Sequence, residues 1–473
     1  MTIDDLARPE SPDAPPGRTA TSGTGTGTWS ALRPLVLRLH FYAGVLIAPF
    51  LLVAATSGLL YALSFQAEKV IYAQELEVPV GDKVLPLSQQ VHAATKVNPN
   101  GTVTAVWPSA EDGATTRVLM DDPDVEEGKS LAVFVDPYTA EIRGQLPSYG
   151  SSGALPLRTW IDELHRDLRL GDIGRNYSEL AASWLWVIAL GGLALWIGRK
   201  RKNRRSLVVP ERGPKSRRRT LSWHGTVGLW AVAGLVLLSA TGLTWSRYAG
   251  ENIDAVQTQL GGATPTVSAA LEGAAAGGSS EHEGHDMGGD TAAPKGADVG
   301  IDKVVEAARA KGIEGRMSVV LPSEGKGYVV KETDTVFPVH LDSVAVNPAD
   351  GAVIDELRFA DYPVLAKLTR FGIDAHMGVF LGLFNQLALA ALALALILMI
   401  LWGYRMWWLR RPGRPVARGA WRKVPPTMLL PLLAATALVG WFVPLLGLSL
   451  VAFLVVDLAL GLVARFRARS EAA

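Results

Sequence analysis

The sequence predicts an α-helical polytopic membrane protein carrying two small α+β domains on its outer side. Three observations predict this class. The hydrophobic residues, 49% of the chain, are concentrated in windows almost free of charge for about 20 residues, the length that crosses roughly 30 Å of hydrocarbon. The stretches between the first four windows are polar and contain short β-rich runs with turn signals. A span–outer domain–span unit occurs twice, and a C-terminal hairpin of two further spans follows it.

Residues 1–34 hold "SPDAPPGRTATSGTGTGT" and lack the apolar core of a signal peptide, so they read as a flexible cytoplasmic tail. Six spans follow, with apolar centres near 40–63, 179–198, 224–246, 379–403, 427–443 and 446–465. As segments they are 35–64, 161–198 (an outer helix and the second span), 221–247, 371–404 and the hairpin 427–466.

Basic residues set the orientation. Segment 199–219, "RKRKNRRSLVVPERGPKSRRR", carries eleven Lys/Arg against one acid, and segment 405–423 carries seven and no acid. With Arg33 and Arg38 before the first span and "RFRAR" after the last, six spans put all four clusters on one side. The loops 199–220 and 405–426 and both termini are therefore expected in the cytoplasm of a cell-membrane protein. Each cluster abuts a helix end, which disfavours a nucleic-acid partner; the expected surroundings are membrane lipid.

Segments 65–160 and 248–370 then face outward. In the first, "LSQQVHAATKV" is helix-like and "TVTAVWP", "TTRVLM" and "LAVFVDPYTAEIRG" are strand-like. In the second, "IDKVVEAARAKG" precedes "MSVVLP", "GYVVKE" and "DSVAVNPADGAVIDE". A helix and a small antiparallel sheet thus recur, which is an internal repeat.

The repeat extends into the spans. His40 aligns with His224, Gly44 with Gly228 and Gly58 with Gly242, each 184 residues apart, and Ser57 aligns with Thr241. A second pair, His165 and His376, lies six residues before Gly171 and Gly382. At about 1.5 Å per helical residue, His40 to Gly58 measures roughly 27 Å, nearly the whole membrane. The first pair therefore belongs at the cytoplasmic edge and the second towards the outer edge. Only His40 with His224, and His165 with His376, are at depths that let them meet. Two imidazoles from two helices facing each other at one depth suit a bis-histidine b-type haem. Zinc is the weaker alternative, since two histidines leave its usual third and fourth ligands missing. Single histidines at helix ends also serve as interfacial side chains, and glycines there also serve helix packing.

Gly44 and Gly228, four residues after the inner histidines, are expected to let a flat macrocycle lie against the backbone. Arg166, with Arg38, Arg169 and Arg175, is a candidate for the propionates. The chain has no cysteine, which excludes disulfides, cysteine-ligated clusters and covalently attached c-type haem. An insertion at 279–290 holds His282, His285 and Met287, candidate ligands for copper or zinc in what also reads as a polar Gly/Ser linker. His92 and His340 have no counterpart and read as structural.

These stretches resemble the PepSY-associated transmembrane family. The match lies in "LHFYAGVLIAPFLLVAATSGLLY", "ELHRDLRLGDIGRNYSELAASWLWVIALGGLALW", "SWHGTVGLWAVAGLVLLSATGLTW" and the two outer segments, over roughly 35–410. The resemblance implies that the outer segments are PepSY domains. The family includes inner-membrane reductases of iron–siderophore uptake, which hold two haems between their helices. It therefore implies haem binding by His40, His165, His224 and His376. The hairpin and the His/Met insertion depart from the pattern.

The expected function is transmembrane electron transfer by an oxidoreductase, from a cytoplasmic or quinol donor to an extracytoplasmic ferric chelate such as a ferric siderophore. No strand–GxGxxG–helix unit is present to bind a dinucleotide, so the donor is separate. Two alternatives stand beside it: a non-enzymatic PepSY module anchored for binding or inhibition, and a copper-handling protein using the His/Met insertion. Hydrolase chemistry is disfavoured, since neither HExxH nor GxSxG occurs in a suitable context.

Overall fold

The computed structural model describes residues 28–200, 204–213, 216–271, 298–410 and 424–470. The insertion 279–290, with His282, His285 and Met287, lies outside them, as do residues 1–27 and most of the second basic loop.

The first span is two helices, α1 (Thr28–Leu46) and α2 (Ala48–Ile71), divided at Ile47. Pro49 explains the break. It has no N–H to donate to the carbonyl four residues back, and its ring crowds that carbonyl. A short α3 (Ala73–Leu76) leads to α4 (Leu87–Val97) and to strands β1 (Thr102–Trp107), β2 (Thr116–Asp121), β3 (Lys129–Val135) and β4 (Ile142–Tyr149). Then come α5 (Pro156–Asp167), α6 (Asp172–Lys200), α7 (Arg205–Val208), α8 (Arg217–Thr244) and α9 (Tyr248–Gln259). After them follow α10 (Ile301–Ala310) and β5 (Met317–Val320), β6 (Tyr328–Glu332), β7 (Ser343–Val346) and β8 (Val353–Leu357). Helices α11 (Val364–Met377), α12 (Leu383–Trp408), α13 (Pro426–Phe442) and α14 (Pro444–Ser470) complete the described chain.

Among the described residues five helices are long and apolar enough to cross a membrane: α2, α6, α8, α12 and the first 21 residues of α14. The chain is a multi-pass membrane protein. Helix α13 is equally apolar but has 17 residues, about 25 Å at 1.5 Å per residue.

All eight strands form one antiparallel sheet, in the order β4-β3-β2-β1-β5-β6-β7-β8. The strands of the two small α+β segments expected from the sequence share this sheet, because β1 pairs with β5, Ala105 opposite Val320 and Val106 opposite Val319. The physical reason lies in edge strands. Left apart, each meander would have an unpaired row of backbone donors and acceptors on β1 or β5, and setting these two rows side by side pairs them, leaving β4 and β8 as the edges of the joined sheet.

Alternate residues along the strands point to opposite faces. One face is covered by α4 and α10, where Val106, Val118, Val133, Val319, Val330 and Val344 are fully buried with Ala94 and Val304. Burying each such valine contributes about 1.5–3 kcal/mol. The other face turns towards the spans and packs Ala105, Leu119, Ala132 and Phe134 against Leu155 and Trp107.

Two buried carboxylates mount this layer on the helices. Glu68, near the end of α2, accepts from the backbone N–H of Leu155 (2.9 Å) and Arg158 (3.3 Å) at the start of α5, and from Arg158 Nε (2.9 Å). Glu179 of α6 accepts from the N–H groups of Tyr248 and Ala249, each at 3.0 Å, at the start of α9. A carboxylate suits these places because the first turn of a helix presents unpaired N–H groups and a partial positive charge.

The α13–α14 hairpin docks through Trp184 Nε1, which donates to Ser449 Oγ at 2.9 Å, and Asn252 Nδ2, which donates to the Phe442 carbonyl at 2.9 Å. An ion pair between Arg38 of α1 and Asp457 of α14 completes the contact.

Candidate functional site: two histidine pairs below a cleft

The four candidate histidines stand in two pairs. The rings of His40 (α1) and His224 (α8) have centroids 6.3 Å apart with planes at 73°. Those of His165 (α5) and His376 (α11) are 6.5 Å apart with planes at 57°. Neither pair contains a histidine from the other, and all four rings are half-buried.

Each ring is held through Nδ1. His40 Nδ1 lies 2.9 Å from the carbonyl of Ile188 on α6, and His224 Nδ1 lies 3.0 Å from the carbonyl of Met399 on α12. A carbonyl only accepts, so in both rings Nδ1 carries the proton and Nε2, on the other side of the ring, keeps a free lone pair. The second pair meets hydroxyls, with the Ala54 carbonyl a further partner of His165. His165 Nδ1 is 2.9 Å from Ser57 Oγ of α2, and His376 Nδ1 is 2.7 Å from Thr241 Oγ1 of α8. Ser57 donates to the Val53 carbonyl (2.9 Å) and Thr241 to the Leu237 carbonyl (2.7 Å). Their protons being used, both hydroxyls accept from the rings, which gives the same tautomer. All four histidines therefore present an unprotonated Nε2.

Glycines make room for the rings. A Cβ at Gly192 would stand 2.8 Å from His40 Cε1, one at Gly58 3.2 Å from His165 Cε1, and one at Gly242 3.4 Å from His376 Cε1. Gly44 and Gly228 do not press on the rings. A Cβ at Gly44 would meet no atom within 4 Å, and one at Gly228 would meet Met399 Sδ at 3.4 Å. Sequence reasoning singled out Gly58 and Gly242 only through the repeat and missed Gly192, whose one signal is its place in "LGGLALW" on a span.

Three of the four candidate arginines are engaged, while Arg175 lines the cleft described below. Arg166 bonds the Tyr149 hydroxyl and pairs with Asp167 at 3.3 Å. Arg38 pairs with Asp457, and Arg169 pairs with Glu163 at 3.2 Å. Asp457, in the hairpin, is a partner that no motif pointed to.

Above the second pair opens a cleft of about 3520 Å³ between the sheet and the helix ends, lined by residues of both β-rich segments and reaching His165 and His376. Its walls carry cations on the membrane-facing side of the sheet. Arg117, opposite Trp107 in the β1–β2 ladder, lies over the rings of Trp107 (5.7 Å) and Phe134 (5.3 Å). Burial, with Arg158 nearby, pulls its guanidinium down to about 10. Lys331 of β6 lies opposite Ser318, where solvent reaches it through the cleft while protein surrounds it. Burial, with Arg370 nearby, lowers its ammonium from the usual range.

Among the described residues no three of His, Cys, Asp or Glu gather as metal ligands. The donor sets on offer are the two imidazole pairs. The family model described as PepSY-associated TM region matches residues 37–410. The chain belongs to the PepSY-associated transmembrane family. The match takes in all four histidines and both β-rich segments and stops before the α13–α14 hairpin. No curated protein matches the chain.

Proposed function

We propose that this family member is a haem-b-containing transmembrane electron-transfer protein that reduces a ferric chelate, such as a ferric siderophore, at the cleft on the sheet side. The observation that carries the reading is the spacing of the rings. A metal–imidazole nitrogen bond is about 2.0–2.1 Å and a ring nitrogen lies about 1.2 Å from the ring centre, so two imidazoles on opposite sides of one metal have centroids roughly 6.4 Å apart. Both pairs stand at this separation. Two imidazoles alone do not complete a zinc site, but they suit an iron whose other four positions belong to a macrocycle.

On this reading His40 with His224, and His165 with His376, each hold one haem b, and a bound haem supplies one-electron redox chemistry. The protein's contribution is positional. The Ile188 and Met399 carbonyls and the Ser57 and Thr241 hydroxyls fix the tautomer and orientation of each ring. The two pairs stand at two depths, one beneath the cleft and the other towards the basic loops. Ferric iron in the cleft gains one electron and becomes ferrous, which loosens oxygen-donor chelates. The electron comes from a separate reductant, a quinol or a reduced carrier protein, on the side of the basic loops, which this reading takes as cytoplasmic. The helix–sheet segments on either side of β1–β5 are read as two PepSY domains and the whole as a duplicated unit, supported by the sheet order and by the shared 184-residue offset.

The test is the absorption spectrum of detergent-purified protein from haem-replete cells, oxidised and dithionite-reduced. Split α/β bands of low-spin b-type haem at two per chain are expected, with about half the signal lost in His40→Ala and half in His376→Ala. A colourless wild-type protein would refute the reading.

A further inference from the structure

The two pairs differ in what stands behind the rings. The pair His40/His224 donates Nδ1–H to two backbone carbonyls, those of Ile188 and Met399. The pair His165/His376 meets two alcohol oxygens, Ser57 Oγ and Thr241 Oγ1, and His165 has the Ala54 carbonyl as a further partner. The hydroxyl contact is common to both rings beneath the cleft and absent from the other pair, and the four supports come from four different helices, α6, α12, α2 and α8. All four rings are half-buried, so the acceptor is the feature that separates the pairs most plainly.

The acceptor matters because it sets the basicity of the ring. An imidazole whose Nδ1–H is drawn towards a strong acceptor becomes more anionic and donates more electron density through Nε2. An amide oxygen is a stronger acceptor than an alcohol oxygen. A more basic ligand favours the oxidised, more positively charged metal and so lowers its reduction potential.

We infer that Ser57 and Thr241 are tuning residues that make the centre beneath the cleft the higher-potential one, so that electrons run downhill from the His40/His224 pair to the His165/His376 pair. The inference rests on the haem reading above and goes beyond it by naming the groups that set the order of the two potentials. It also gives a task to the Ser57/Thr241 match within the repeat. Both side chains keep their hydroxyl proton occupied with a carbonyl in their own helix, Val53 and Leu237, which leaves the oxygen as the acceptor for the ring.

The experiment is potentiometry of the purified full-length protein, followed at the α band. Wild type is expected to show two waves, and His376→Ala, which spoils the pair beneath the cleft, is expected to keep only the lower one. Thr241→Val preserves shape and removes the acceptor; with Ser57→Ala it should raise the higher wave and leave the lower unmoved. Thr241→Ser restores a hydroxyl and should return the wild-type value, which a packing role for the Thr241 methyl would not do. Unmoved waves in Thr241→Val and Ser57→Ala, with both haems bound, overturn the inference and leave the haem reading standing. So does a single wave in His376→Ala at the higher potential. Absence of haem bands from the wild type overturns both.

Discussion

Tyr404 donates its hydroxyl to the carbonyl of Val45, 3.0 Å away. Val45 is the residue whose carbonyl Pro49 leaves without its helical partner. A side chain of α12 thus closes the gap that divides the first span, four residues beyond the α1 turn holding Phe41 and one turn past His40. Tyr404→Phe should strand that carbonyl and destabilise the protein by about 1–2 kcal/mol. The check is thermal unfolding in detergent, and an unchanged midpoint would mean that the break satisfies itself some other way.

The glycines beside the rings rank by clearance. Gly192→Ala puts a Cβ within 2.8 Å of His40 Cε1, closer than real contacts, and the ring must turn from the Ile188 carbonyl. If each ring pair holds a haem as proposed, this variant should lose most of one of them. Gly58→Ala, at 3.2 Å from His165 Cε1, should lose less, and Gly242→Ala, at 3.4 Å from His376 Cε1, should remain near wild type. Haem content per chain measures all three; any other order speaks against ring placement as the reason for these glycines.

Arg158 and Glu68 form a buried pair at 2.9 Å, with both side chains 7% exposed. Arg158→Met leaves a buried carboxylate with only backbone donors, Leu155 N–H and its own, and should cost about 3–5 kcal/mol. Adding Glu68→Gln removes the stranded charge and should recover a large part of that loss. Equal midpoints for the single and double variants would show that the cost lies in the lost contact of the Arg158 guanidinium with the Phe65 ring, 4.6 Å away, rather than in the stranded carboxylate.

Arg316 beside Glu111, the cause of the shift, holds that carboxyl below the usual carboxylate range. The pair links the β1–β2 loop to the start of β5, across the joint between the two meanders. Because the folded-state value is depressed, the stabilisation is present above the ordinary carboxylate value. It is lost as pH falls through the lowered one. Both side chains are more than half exposed, so the effect is small and salt-sensitive. Glu111→Gln should flatten the acidic limb of a stability–pH profile at low salt, and profiles of identical shape would exclude the pair as a contributor.

The parts legible in the sequence are those encoded by side-chain type and period. Span depth and the 184-residue offset are enough to match His40 with His224, and the shared six-residue spacing to Gly171 and Gly382 to match His165 with His376. The supports divide by kind. Ser57 and Thr241 were visible as aligned positions without a role, because their side chains do the work. The Ile188 and Met399 supports use backbone carbonyls, which every residue has, so no residue type marks them. The joining of β1 to β5 was hidden for a similar reason: edge pairing runs through main-chain groups and leaves no turn signal when the strands are far apart in the chain. Arg38 looked free for a propionate because its partner, Asp457, stands alone in an apolar helix more than 400 positions later.

Each ring pair draws one member from either side of the basic loop at 199–219, and this fixes an order of assembly. As the chain emerges from the N-terminus, the His40/His224 pair has both rings once α8 is placed, while the support for His224 arrives only with Met399 in α12. The His165/His376 pair waits for α11. The sheet obeys the same timetable, since β1 stays an open edge until β5 is made. A chain stopped before α11 would already have all eight strands of its sheet but a second pair with one ring, so the pair beneath the cleft is the last to be completed.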